Sequence, residues 1–209
     1  MNITEIFHSL QGEGPLIGLP ASFIRFTGCL EPYCPWCDTR YALHESTEMT
    51  LGQIVDELKN YPGKTVVITG GEPFLQWDAG LSELHTELIR MGYAIQYETS
   101  GKTGLPMIDD AVVVCSPKFI DSTWRFDPSN LGKVHYYKFL AGNHESLTGI
   151  LSFIHENAIA AGQVYVMPIG MTRDEQLRTM EMVFDFCRDN GYRMTPRLHI
   201  LTFDNRRGV

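Results

Sequence analysis

The run Ser22-Phe23-Ile24-Arg25-Phe26-Thr27-Gly28-Cys29-Leu30-Glu31-Pro32-Tyr33-Cys34-Pro35-Trp36-Cys37-Asp38-Thr39 reads as a β-strand that empties into a loop carrying three thiols. Apolar and aromatic residues at Ser22–Phe26 specify the strand, and α/β folds gather their ligands on loops at the carboxyl ends of strands. Three thiolates from one short loop can occupy three irons of a cubane and leave the fourth iron without a protein ligand, open to chemistry. A structural zinc site is the alternative. Closed zinc sites need four ligands, usually as two separated pairs, and here the only pair is Cys34 and Cys37. Cys115 ends an apolar strand and Cys187 lies on a helical stripe, so both read as small buried hydrophobes. Spacing therefore favours an open cluster over zinc.

Outward from this loop, strand-like runs alternate with stretches of helical period, as expected when helices cover a mostly parallel sheet. Strands are predicted at Ser22–Phe26, Thr65–Thr69, Ala94–Glu98, Ala111–Cys115, Tyr136–Leu140, Gln163–Met167 and Leu198–Thr202. Helices are predicted at Leu51–Tyr61, with Thr50 as N-cap and Pro62-Gly63 as stop, and at Leu81–Met91, His144–Ala161 and Arg173–Asn190. Phe119–Lys133 carries Pro128, Gly132 and polar residues without period, which predicts a surface loop. No repeat, low-complexity tract or linker interrupts the chain, so one domain spanning 1–209 is expected. The architecture expected is an incomplete parallel β/α barrel, because the chain is shorter than the ~250 residues of a complete eightfold one. A partial barrel exposes sheet edges, which predicts a homodimer.

The 209 residues are 44% hydrophobic, enough for one sizeable core. A formal net charge of −8 offers no positive field to gather nucleic acid or an anionic membrane. Met1-Asn2-Ile3-Thr4-Glu5 lacks a basic region followed by an apolar run, and no stretch reaches the ~18 apolar residues of a membrane span. A cytoplasmic location is expected, where five cysteines, an odd number for a disulfide framework, stay as thiols.

A second motif, Thr65-Val66-Val67-Ile68-Thr69-Gly70-Gly71-Glu72-Pro73, is a strand running into a double glycine, where missing Cβ atoms let a ligand lie against the backbone. Together the two motifs resemble the radical S-adenosylmethionine superfamily. Its cluster loop is normally C-x3-C-x2-C with an aromatic residue before the last cysteine, here Trp36; this chain departs from it by placing four residues between Cys29 and Cys34. The resemblance implies a 4Fe-4S cluster on Cys29, Cys34 and Cys37. It also implies that Gly70, Gly71 and Glu72 receive the methionyl amino group of S-adenosylmethionine, beside Trp36 and Asp38.

Glu5-Ile6-Phe7-His8-Ser9-Leu10-Gln11-Gly12-Glu13-Gly14, Glu98-Thr99-Ser100-Gly101, Cys115-Ser116-Pro117-Lys118 and the tail from Arg197 to Val209 extend the resemblance to the 7-carboxy-7-deazaguanine synthase family. That implies a radical ring contraction of 6-carboxy-5,6,7,8-tetrahydropterin with loss of ammonia, towards queuosine and related compounds. It implies a small-molecule pterin substrate, an electron donor such as flavodoxin or ferredoxin, and Mg2+ on Thr39. Leu10, Gln11, Gly12, Glu13, Arg25, Thr69, Glu98, His199 and the carboxylate of Val209 are implied for the pterin. Ser116, Pro117, Lys118, Met167 and Pro168 are implied for S-adenosylmethionine.

Chemistry gives each role an alternative. Gln11 and Glu13 suit a pterin's amide-like edge, or are solvated loop residues. Arg25 in an apolar run needs an anion, which a substrate carboxylate or a structural glutamate satisfies equally. Asp38 and Thr39 offer oxygens to magnesium, or cap a helix. His199 alone is more often a core histidine, and Lys118 an exposed lysine. An activating enzyme that plants a glycyl radical on a protein partner is the rival within the superfamily, and a zinc-binding interaction module the rival outside it.

Overall fold

The computed structural model describes residues 1–209. In chain order the strands are β1 (Asn2–Leu10), β2 (Pro20–Phe26), β3 (Thr47–Glu48), β4 (Thr65–Gly70), β5 (Ala94–Thr99), β6 (Val112–Cys115), β7 (Lys118–Ile120), β8 (Thr123–Arg125), β9 (Tyr136–Ala141), β10 (Val164–Pro168) and β11 (Arg193–Met194). The helices are α1 (Leu51–Leu58), α2 (Ser82–Arg90), α3 (His144–Glu156), α4 (Arg173–Asn190) and α5 (Leu198–Phe203). Nine strands form one open sheet in the order β11-β10-β9-β6-β5-β4-β2-β1-β3. From β2 to β11 every pairing is parallel; β1 runs antiparallel to β2 and to β3. The sheet does not close into a barrel, as the predicted incomplete β/α architecture requires, and both of its edge strands are two residues long.

Alternation along the strands separates core from cavity. Ile24 and Phe26, Val66 and Ile68, Ile95 and Tyr97, and Tyr137 and Phe139 join the main apolar cluster with α1 to α4. Their neighbours Arg25, Thr69, Glu98 and Lys138 point to the other face and line a cavity. Capping fixes where α1, α3 and α4 begin. Thr50 and Gln53, Asn143 and Ser146, and Thr172 and Glu175 each form a reciprocal capping box, and Gly191 at φ 71° closes α4.

Four expectations are corrected, and strand β1 is added to them. β1 is unpredicted because the register shifts between Ile3 and Glu5, a bulge that breaks the alternation of apolar residues. Leu198–Thr202 is helix α5 rather than a strand: Leu201 N donates to Arg197 O at 3.0 Å, and β11 fills the sheet position beside β10. Phe119–Lys133 contains the β7–β8 hairpin, turned by Asp121 and Ser122 at φ 51° and 53°. Trp124 anchors it among Phe119, Phe139 and Phe153. Two helices end early. α1 stops at Leu58, where Asn60 and Tyr61 tighten into three-residue turns, and α3 stops at Glu156, before Ala158 turns to φ 50°.

Candidate active site

At the carboxyl ends of the parallel strands lies a cavity of about 840 Å³. It brings together Cys29, Cys34, Trp36, Cys37, Asp38 and Thr39 from the loop after β2, and Gly70 and Gly71 from the end of β4. Leu10, Gln11, Gly12, Glu13, Arg25, Thr69, Glu98 and His199 line it, as do Ser116, Lys118, Met167 and Val209. Three of the residues singled out in the sequence do not: Glu72, Pro117 and Pro168. A second cavity of about 380 Å³, between Met107 and Gln163, contains none of them.

The two glycines are compelled by the way the loops cross. A Cβ on Gly70, at φ 149°, would overlap the Phe26 backbone, and one on Gly71 would overlap the Gly28 carbonyl. Glu72 N donates to Gly28 O at 2.7 Å, tying the double glycine directly beneath the cysteine loop. The Glu72 carboxylate is fully buried. It accepts from Thr99 Oγ1 at 2.7 Å, Ser100 N at 2.9 Å and Ser100 Oγ at 2.5 Å, which locks the end of β4 to the end of β5.

The three loop cysteines are free thiols, half-buried, on the cavity wall, while Cys115 and Cys187 are buried in the core. Burial pushes the Cys29 thiol above its ordinary range. No three His, Cys, Asp or Glu side chains stand close enough to hold a single ion. Three free thiols from one loop, with no fourth protein ligand beside them, match the donor set of a cubane with one open iron rather than the four ligands of a closed zinc site. Thr39 precedes a short 3-10 turn but makes no capping bond; its hydroxyl lies 3.6 Å from Cys37 Sγ, on the cavity wall.

Along the same cavity runs a chain of buried charges that sequence reasoning leaves incomplete. Lys138 Nζ, on β9, donates to Glu13 Oε2 at 2.6 Å and Glu98 Oε2 at 2.7 Å. Arg197 Nε donates to Glu13 Oε1 at 2.8 Å, its Nη1 to Gly170 O at 2.8 Å, and its Nη2 to Asp38 Oδ2. Gln11 Nε2 and Gln96 Nε2 both donate to Glu98 Oε1. Although burial opposes it, the Lys138 and Arg197 cations hold the Glu13 carboxyl well below the usual range. Burial pushes Glu98 up, and Lys138 only partly offsets this. Lys138 stands as a lysine inside the apolar strand Tyr136–Ala141, the same signal that marks Arg25.

Arg25 Nε donates to Glu5 Oε1 at 2.7 Å, and neither of its Nη groups makes a hydrogen bond. The structural glutamate is therefore real, and both Nη groups, with four N–H donors between them, remain for a second anion. Arg207 from the tail reaches the other Glu5 oxygen at 3.0 Å and lies over the Tyr41 ring at 3.9 Å.

His199 stands in the first turn of α5, where Gly12 has no Cβ to obstruct its ring. Burial, aided by the Arg197 and Lys138 cations, pulls its pKa down from 6.5 to about 4 although Glu13 opposes this. The folded value lies below the unfolded one, so the stability contributed by neutral His199 is present above pH 6.5 and is lost as pH falls towards about 4. Proton NMR of the His199 ring is expected to show no protonation above pH 5; a midpoint near 6.5 would contradict the burial argument.

Comparison with known proteins follows the same lines. The profile of the radical SAM superfamily matches residues 23–112. The chain is similar to 7-carboxy-7-deazaguanine synthase of Pyrobaculum aerophilum, at 34% identity over 100% of this chain and 97% of that protein. It is similar to the enzyme of the same name from Thermoplasma acidophilum, at 42% identity over the whole of both chains. The crystal structure of QueE from Escherichia coli superposes with a TM-score of 0.78 at 24% identity, covering 95% of this chain and 94% of that one.

Proposed function

Because the chain belongs to the 7-carboxy-7-deazaguanine synthase family of radical S-adenosylmethionine enzymes, we propose that it converts 6-carboxy-5,6,7,8-tetrahydropterin to 7-carboxy-7-deazaguanine with loss of ammonia, in queuosine biosynthesis. One observation carries the assignment: a single cavity gathers three free thiols, a double-glycine ledge, buried carboxylates, a neutral histidine and an arginine with open donors. In this reading Cys29, Cys34 and Cys37 hold the 4Fe-4S cluster. When bound and reduced, the cluster and S-adenosylmethionine supply the one-electron chemistry that starts hydrogen abstraction.

The remaining residues bind and orient. Gly70 and Gly71 let the methionyl end lie against bare backbone, while Ser116, Lys118 and Met167 offer contacts for the rest of S-adenosylmethionine. Glu13 and Glu98 accept from the donor edge of the pterin, with Gln11 donating beside them. Arg25 presents its two Nη groups to the substrate carboxylate in the forked geometry carboxylates prefer. His199, neutral at working pH, offers a hydrogen bond without adding a charge. Thr39 and Asp38 supply oxygens to magnesium, too few for a protein-only cage and sufficient when substrate and water complete the shell.

No helix is long and apolar enough to cross a membrane. The cytoplasm, one domain over 1–209, a homodimer and a flavodoxin or ferredoxin as electron donor complete the proposal. The experiment is anaerobic turnover: chain reconstituted with iron and sulfide is given the carboxytetrahydropterin, S-adenosylmethionine, magnesium and dithionite. The ultraviolet spectrum of a deazaguanine is expected, with S-adenosylmethionine regenerated. Stoichiometric loss of S-adenosylmethionine without that product would favour a glycyl-radical activating enzyme and overturn the assignment.

A further inference from the structure

The span Leu30-Glu31-Pro32-Tyr33, one residue longer than the superfamily's spacing, has to be held in place by something other than its own backbone. Within it, no backbone N–H or C=O bonds to another part of the main chain. What holds it comes from 70 residues away. Lys102 Nζ donates to Leu30 O at 3.1 Å and to Pro32 O at 2.7 Å, two carbonyls of alternate residues converging on one ammonium. These are the only hydrogen bonds the span's backbone receives from outside the cysteine loop.

Lys102 itself stands on a rigid base. Ser100, two residues before it, is locked by the buried Glu72 carboxylate. Gly101 turns at φ 67°, where a Cβ would overlap Cys115 Sγ. Asn130, fully buried, donates from Nδ2 to Gly101 O at 3.0 Å and to Thr103 O at 2.9 Å, bracketing Lys102 on both sides. A lysine so fixed has no acidic partner; both its bonds go to the cluster loop.

We propose that Lys102 is a positioning residue for the iron–sulfur cluster: its ammonium staples the four-residue spacer so that Cys29 and Cys34 keep the separation the cluster needs. The staple also places a fixed positive charge beside the cluster, which favours the reduced, more negative state. This rests on the cluster being held by Cys29, Cys34 and Cys37. It adds a residue outside the ligand set on which loading depends.

The test compares wild type, Lys102→Met and Lys102→Arg, each reconstituted anaerobically and challenged with an iron chelator, with iron and sulfide measured over time. Far-ultraviolet circular dichroism of the unloaded chains checks that the fold is kept. Loss of two bonds from a charged donor is expected to make iron release from Lys102→Met about tenfold faster. Lys102→Arg, which keeps the charge and can donate to both carbonyls, is expected to restore most of the retention. The reduction potential of Lys102→Met, read by electron paramagnetic resonance during a dye-mediated titration, is expected to move negative. A loaded wild type matched by an equally retentive Lys102→Met overturns this inference alone. A wild type that takes up no iron and sulfide overturns the cluster reading and this inference with it.

Discussion

Lys138→Met is expected to lower kcat/KM for the carboxytetrahydropterin by roughly 10²-fold and to destabilise the fold by about 3–5 kcal/mol. The lysine is 5% exposed and is the only cation bonded to Glu98, while it shares Glu13 with Arg197. Removing it leaves Glu98 with no cation and Glu13 with Arg197 alone, two largely buried carboxylates facing each other across an apolar side chain. The Glu98 carboxyl, already pushed up by burial, then rises further above its unfolded value, so the variant binds more protons at this site folded than unfolded. Stability consequently falls as pH rises, and the loss is expected to be larger at pH 8 than at pH 5. Because Glu13 and Glu98 are assigned to the pterin edge, the kinetic loss should fall mainly on KM. Urea unfolding at the two pH values and steady-state kinetics measure both. A variant within about 1 kcal/mol of wild type, with unchanged KM, would show that the lysine neither supports the fold nor orients the glutamates.

Gly71→Ala is the second large effect. The added methyl meets the Gly28 carbonyl and comes within 3.0 Å of Cys29 Cβ. Both obstacles belong to backbone or to a cluster ligand, so neither swings aside like the end of a flexible side chain. The Glu72 N to Gly28 O bond that joins the two loops has to lengthen or break. The expected cost is about 3 kcal/mol, the upper end for inserting a methyl into a packed place. Cluster loading should also fall, because the loop carrying Cys29 is the part that moves. Gly52 supplies the control: it lies in α1, and a Cβ there would meet nothing within 4 Å, so Gly52→Ala is expected to stabilise by roughly 0.5–1 kcal/mol. Denaturant unfolding and iron content of the two variants decide it. Wild-type stability and full iron in Gly71→Ala would mean that the ledge is not where the loops meet.

Much of this is legible in the amino-acid sequence, for identifiable reasons. Strands β2, β4, β5, β6, β9 and β10 are buried parallel strands whose apolar runs stop at glycine, proline or polar residues, and helix α4 announces its ends through Thr172 and Gly191. The cysteine loop and the double glycine need only chemistry and spacing. What escapes depends on tertiary context. A bulge hides β1, and the six residues of α5 are too few for period to distinguish helix from strand. The β7–β8 turn uses Asp121 and Ser122 at positive φ where glycine or asparagine would have marked it.

The charge chain is the more instructive omission. The reasoning that an arginine in an apolar strand needs an anion holds for Arg25 and applies unchanged to Lys138. Which glutamate answers each cation is a matter of three-dimensional neighbourhood: Glu5 comes from the paired strand, whereas Glu13 stands 125 positions from Lys138 and 184 from Arg197. Glu72 shows the converse. Its motif suggests a ligand, and its carboxylate is consumed by Thr99 and Ser100. The double glycine before it is what faces the cavity.

The claim beneath all of this is that Cys29, Cys34 and Cys37 hold a four-iron cluster whose remaining iron opens to the cavity. Electron paramagnetic resonance of the reduced, reconstituted chain, recorded with and without S-adenosylmethionine, tests it most directly. The account predicts a reduced-cluster signal that changes shape when S-adenosylmethionine is added, because the open iron gains new ligands. A signal that S-adenosylmethionine leaves untouched, or no cluster signal after reconstitution, would contradict it.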